Sequence, residues 1–172
     1  MEFHFVPPDL RRVDETSAEV VACSMWKDER PMRGLAGLLD WRLAGKLSKL
    51  ARADYLVGEL GEVLCVPARP RLPFDKLLVF GLGTKSGFGE DTFRKVTRHI
   101  LRALEGLAVR RAVVELPGRA EGLVPPERAT ELVLECVGTS EAHDAWWLVE
   151  DNDAERRMTQ RAQEEQRRAR RG

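Results

Sequence analysis

Three short runs in this chain are apolar at every position, not at every second one, and they limit what it can fold into. They are Val20-Val21-Ala22-Cys23, Leu77-Leu78-Val79-Phe80 and Ala112-Val113-Val114. Successive side chains of a strand point to opposite faces, so such runs need cover on both sides of a sheet. Between and around them lie segments with helical spacing. Leu35, Leu39, Leu43, Leu47 and Leu50, with Leu38 beside them, predict one amphipathic helix over 32–51. Phe93, Val96, Ile100, Leu104 and Leu107 predict a second over 90–107. Ala129, Leu132, Val133, Cys136 and Val137 predict a third, opened by Pro125-Pro126 and closed by Gly138. Weaker strand patterns cover Glu2–Val6, Glu62–Val66 and Asp144–Glu150. Strands interleaved with helices predict a three-layer α/β/α domain, and the long crossovers predict a mostly parallel sheet.

Composition narrows the function classes. A chain of 172 residues buries roughly two thirds of its unfolded surface and needs no disulfide or metal to hold a core. The 28 Lys and Arg balance 28 Asp and Glu, which excludes a general polyanion binder. No apolar stretch approaches the roughly 20 residues that cross a bilayer, and Met1–Pro8 carries no secretory pattern. Cys23, Cys65 and Cys136 are odd in number and far apart, as expected of reduced thiols in a cytoplasmic protein. All three are expected as small core residues.

The zero net charge hides an unusual end. Beyond Val149 the chain has no Leu, Ile, Val, Phe, Trp or Tyr, only Met158 and three alanines. That composition predicts no core-facing stripe, so the structured domain is placed at 1–150 and a charged tail, helical or disordered, at 151–172. Asp153–Arg157, Arg161–Glu165 and Glu164–Arg168 are spaced for helical ion pairs. Arg167, Arg168, Arg170 and Arg171 end the tail in a basic cluster. It is a candidate docking point and the one place for weak nucleic-acid contact.

Motifs that would carry chemistry are incomplete. Gly81-Leu82-Gly83-Thr84-Lys85-Ser86-Gly87 follows a buried strand and leads toward a helix, where backbone amides can cradle a phosphate. A P-loop requires glycine before Lys85, where Thr84 stands, and a dinucleotide fingerprint requires glycine where Ser86 stands. Gly81, Gly83, Lys85, Ser86 and Gly87 are therefore a tentative phosphate or nucleotide loop, set against a turn that merely needs positive φ angles. His4, His99 and His143 have no metal-ligand spacing, and no Gly-x-Ser-x-Gly elbow occurs. No catalytic residue, metal ligand or cofactor follows from the residues. Trp146-Trp147 sends two rings to opposite faces of its strand, and Trp41 falls off the leucine stripe. All three are candidate interaction anchors, since tryptophan is enriched at interfaces.

Four stretches in order resemble the amino-terminal domain of the cytosol (leucyl) aminopeptidase family. They are GLAGLLDWRLAGKLSKL, GELGEVLCVP, KLLVFGLGTKSGF and the segment ending in RRAVVELPG. The resemblance spans about residues 18–150 and implies a macro-domain-like fold, a mixed sheet flanked by helices. It also implies a domain without the peptidase centre, whose two metals lie in a separate carboxyl-terminal domain. Asn152-Asp153-Ala154-Glu155-Arg156 resembles a fragment of that family's Asn-Thr-Asp-Ala-Glu-Gly-Arg metal motif, but lacks its Thr and Gly. The expected function is that of a non-catalytic module acting by protein–protein contact, self-association or regulation. The alternative is an ADP-ribose-type nucleotide bound near Gly81–Gly89. A metal-dependent hydrolase is the least supported of the three.

Overall fold

The structure is a computed structural model in which residues 1–170 are described. Six strands form one sheet: β1 (Glu2–Val6), β2 (Val20–Met25), β3 (Val63–Pro67), β4 (Lys76–Gly81), β5 (Arg111–Val114) and β6 (Ala145–Val149). Their order across the sheet is β1-β6-β5-β2-β4-β3. All neighbours are parallel except β3, which runs antiparallel to β4 with Cys65 opposite Leu78. The helices are α1 (Leu10–Asp14), α2 (Gly34–Arg42), α3 (Lys46–Arg52), α4 (Glu90–Gly106), α5 (Pro126–Val137) and α6 (Asn152–Ala169).

The doubly apolar strands occupy the middle of the sheet. Ala22, Phe80, Val114 and Trp146 face α4 and α5, while Val21, Cys23, Val79 and Val113 face α2 and α3. The fold is the expected mixed, mostly parallel α/β/α sandwich. Three local expectations are corrected. The leucine stripe runs over two helices instead of one, because Ala44 (φ 55°) and Gly45 (φ 79°) turn the chain between α2 and α3. The Asp40 carboxylate then accepts the Leu47 and Ser48 N–H groups at the start of α3. Leu35, Leu39, Leu43 and Leu47 all stay buried across the break. Cys65 is no core residue; it is exposed on the edge strand β3.

The third correction concerns the charged end, which takes the helical of its two expected states. Asp151 caps α6 by accepting the Ala154 N–H at 2.8 Å. Ala154 and Met158 are buried, so the segment does present a small apolar face to the core. Ion pairs to α5 flank that face: Arg157 with Glu127 at 2.6 Å and Arg161 with Glu131 at 2.7 Å. Asp153 of the decoy motif pairs with Arg156 and Arg157.

Candidate functional site

The chain passes from β2 to β4 on one side and returns through α4 to β5 on the other, so the strand order reverses at β2. In open α/β sheets a ligand crevice forms beyond the carboxyl ends of the strands at such a point. Here it lies among Ser24, Trp26, Glu29, Leu82, Glu115 and Glu121. Two features that could recruit an anion converge on it: the turn after β4 and the N-terminus of α2.

Both are already taken by the chain's own acidic side chains. The Glu115 carboxyl group accepts the Leu35 N–H in the first turn of α2 at 2.7 Å. The fit leaves no slack, because a Cβ on Gly34 (φ 61°) would lie 2.9 Å from Glu115 Oε2. At the other feature, the Lys85 N–H points to the Asp28 carboxylate at 3.2 Å, and Lys85 Nζ binds Glu29 Oε1 at 2.7 Å. The same ammonium sits 5.9 Å from the centre of the Trp26 ring. Ser86 and Gly87 are exposed on a 3-10 turn over Lys85–Gly87. The glycines before it serve backbone packing. A Cβ on Gly81 would sit 1.9 Å from the Glu59 carbonyl oxygen, and Gly83 has a φ of 74°.

The loop after β5 is pinned down in the same way. Arg119 makes a bidentate pair with Glu150, 2.8 and 2.7 Å, and donates a third bond to the Val124 carbonyl at 2.6 Å. Both side chains are nearly buried, at 9% and 5% exposure. What remains of the crevice is a cavity of ≈ 10 Å³, about enough for one water, whereas small-molecule sites span roughly 300–1,000 Å³. Ser24 Oγ is buried with no hydrogen-bond partner among the described residues, and it lines this space.

Burial pushes the Glu115 carboxyl up to about 8; the Leu35 N–H opposes that shift, and Glu121 and Glu150 add to it. The group is therefore mostly protonated at neutral pH. Burial, with Glu115 nearby, raises the Cys23 thiol well above its ordinary value, so it is a poor nucleophile. His99 and His143 are both lowered by burial. Among the described residues no group of three or more His, Cys, Asp or Glu side chains converges to hold a metal ion.

A profile of the cytosol aminopeptidase family, N-terminal domain, matches residues 20–139, well over half of the chain. The chain belongs to that family. Its relatives include a probable cytosol aminopeptidase of Halorhodospira halophila, 34% identical over 111 residues, which are 63% of this chain and 22% of the relative. Another, from Alkaliphilus oremlandii, is 23% identical over 126 residues, 73% of this chain and 24% of the relative. The chain thus spans about a fifth to a quarter of the length of the curated relatives it matches. Among solved structures, a tomato leucine aminopeptidase variant aligns with a TM-score of 0.65 at 14% identity, over 94% of this chain and 35% of that one. A Trypanosoma brucei macrodomain in complex with ADP gives 0.71 at 18% identity, over 94% and 69%. The expected macro-domain-like fold is thereby established for this member of the family.

The remaining candidates are dispersed. Trp146 is fully buried against α4 and α5, which makes it a core residue and corrects its reading as an anchor. Trp147 is half-buried on the opposite face and stacks on His4, ring centres 5.1 Å apart. Trp41 is 77% exposed on α2. Arg167, Arg168 and Arg170 are exposed at the end of α6, and Arg168 pairs with Glu165 at 3.0 Å. Arg171 lies outside the described residues. No helix among the described residues is long and apolar enough to cross a membrane. Sequence reasoning missed Glu115, the residue that closes the crevice. Its signal was an acid directly after a buried strand and before Leu116-Pro117-Gly118.

Proposed function

We propose that this chain is a non-catalytic module of the cytosol aminopeptidase family, acting in the cytoplasm by protein–protein contact, self-association or regulation of a partner. The closed crevice carries the reading: the Glu115 carboxyl group occupies the α2 N-terminus and the Glu29 carboxylate occupies Lys85, so a phosphate would find these donors already taken. The exposed ring of Trp41 supports a surface role, since an aromatic of that size in water is a ready anchor. The relatives, which are named cytosol aminopeptidases, support the compartment.

A second reading, an ADP-ribose-type ligand near Gly81–Gly89, draws on T. brucei macrodomains of the same fold in complex with ADP and with ADP-ribose. Thermal unfolding with and without millimolar ADP-ribose separates the two, because a ligand of the native state raises Tm. The proposed function expects no shift, and no release of leucine from leucine amide with Zn²⁺ or Mn²⁺. A concentration-dependent rise in Tm, or metal-dependent hydrolysis, would overturn it.

A further inference from the structure

β3 forms one edge of the sheet and β1 the other. Among the described residues β3 pairs only with β4. The Gly81 N–H bonds to the Glu62 carbonyl at 2.9 Å and the Ala68 N–H to the Asp75 carbonyl at 3.3 Å. Alternation along an antiparallel ladder then turns the N–H and C=O groups of Val63 and Cys65 outward, away from β4. Pro67, which has no N–H, ends this outward row. The side chains of Val63 and Cys65 stand on the α4 side of the sheet, opposite Phe80 and Leu78 in register, and both are exposed. α4 stops short of covering them. Beside the edge, between α4 and the Leu60-Gly61 turn that leads into β3, lies a groove of ≈ 280 Å³.

The wall of that groove is basic. Lys95, His99 and Arg102 line it at i, i+4 and i+7 of α4. Among the described residues none of the three takes part in an ion pair, although Arg94 on the same helix pairs with Glu90, Asp91 and Glu135. His99 is held in place by an edge-to-face contact with Phe80, ring centres 5.1 Å apart. Burial and Arg102 lower its pKa, so Lys95 and Arg102 carry the charge at neutral pH.

We infer that the β3 edge and the α4 basic stripe form a docking site for an extended acidic peptide segment of a partner protein. The segment adds to β3 as a seventh strand. Its backbone meets Val63 and Cys65, its apolar side chains cover them, and its carboxylates reach Lys95 and Arg102. Charge selects this occupant over a second copy, because edge-to-edge pairing of two chains would bring a second basic stripe to the same face of the joined sheet. The inference rests on the surface-contact reading above and gives it a place and a partner chemistry.

The test uses the whole chain and three labelled heptapeptides, followed by fluorescence anisotropy. One alternates Glu and Val, one alternates Lys and Val, and one is the acidic peptide N-methylated at alternate residues. The acidic peptide is expected to bind at least tenfold more tightly than the other two, and more weakly as salt rises. The Lys95→Glu/Arg102→Glu double variant, changed only at exposed positions, is expected to lose at least tenfold in affinity at unchanged Tm. Bound peptide is also expected to slow maleimide modification of the exposed Cys65 thiol. Equal binding of acidic and lysine peptides, indifference to N-methylation or to the double variant, or a dimer blocked by Val63→Lys would each overturn the site. None of these results bears on the closed crevice, and an ADP-ribose shift in Tm would leave the edge result standing.

Discussion

The crevice beyond β2 and β5 and the outer edge of β3 treat charge in opposite ways. In the crevice three donors are matched by acids of the chain itself: Lys85 by Glu29, Arg119 by Glu150, the Leu35 N–H by Glu115. At the edge, Lys95, His99 and Arg102 face a groove that no acid among the described residues lines. The fold offers the first place to ligands, yet the sequence has closed it. The second place is incidental to the fold, yet its donors and cations are left unused. Topology alone is therefore a poor guide to function here, and the side chains at each place decide.

The comparison can be broken most severely at Arg119. Arg119→Ala leaves the Glu150 carboxylate nearly buried without its partner, and a loss of about 3–5 kcal/mol in urea unfolding is expected. A similar loss from Lys95→Ala, which has no such partner, would contradict the distinction. Met158→Ala comes next, at about 2–3 kcal/mol, because its side chain is 2% exposed in the core beneath α6. A cost below about 0.5 kcal/mol would show α6 detached in solution.

Glu115 sharpens the comparison through pH. Its native pKa, about 8, lies above the ordinary 4.5. The native state therefore holds a proton that the unfolded state has released between those values. Stability from this group is complete below about pH 4.5, falls as pH rises, and is lost by about pH 8. The slope approaches 1.4 kcal/mol per pH unit at most. Glu115→Gln is expected to flatten this part of the profile and to be the more stable protein at pH 9. Identical profiles for the two proteins would place Glu115 in water. The smallest effect belongs to Trp41→Ser, within about 0.5 kcal/mol, since the ring is exposed.

How much of this was legible depended on distance along the chain. The central strands and the leucine stripe could be read because their signal is periodic and local. The break at Ala44–Gly45 could not, since alanine favours a helix and its positive φ reflects how α2 and α3 settle on the sheet. The docking of α6 is hidden from the sequence because one methionine is a faint stripe, and its ion pairs reach Glu127 and Glu131 on another helix. The glycine turn at Gly81–Gly87 was visible, but the residues that occupy it are not neighbours in sequence. Asp28 and Glu29 come from the loop after β2, and Glu115, which occupies the α2 N-terminus, comes from just after β5. Trp146 and Trp147 split across the sheet as alternation requires, and only the packing of α4 and α5 decides that the first is wholly buried.

The most direct measurement is an amide NMR titration of the ¹⁵N-labelled chain with ADP-ribose. The account expects the Leu35, Lys85 and Glu115 resonances to stay unmoved to millimolar ligand. Saturable shifts confined to those three amides would show that the crevice opens to a nucleotide, and would contradict it.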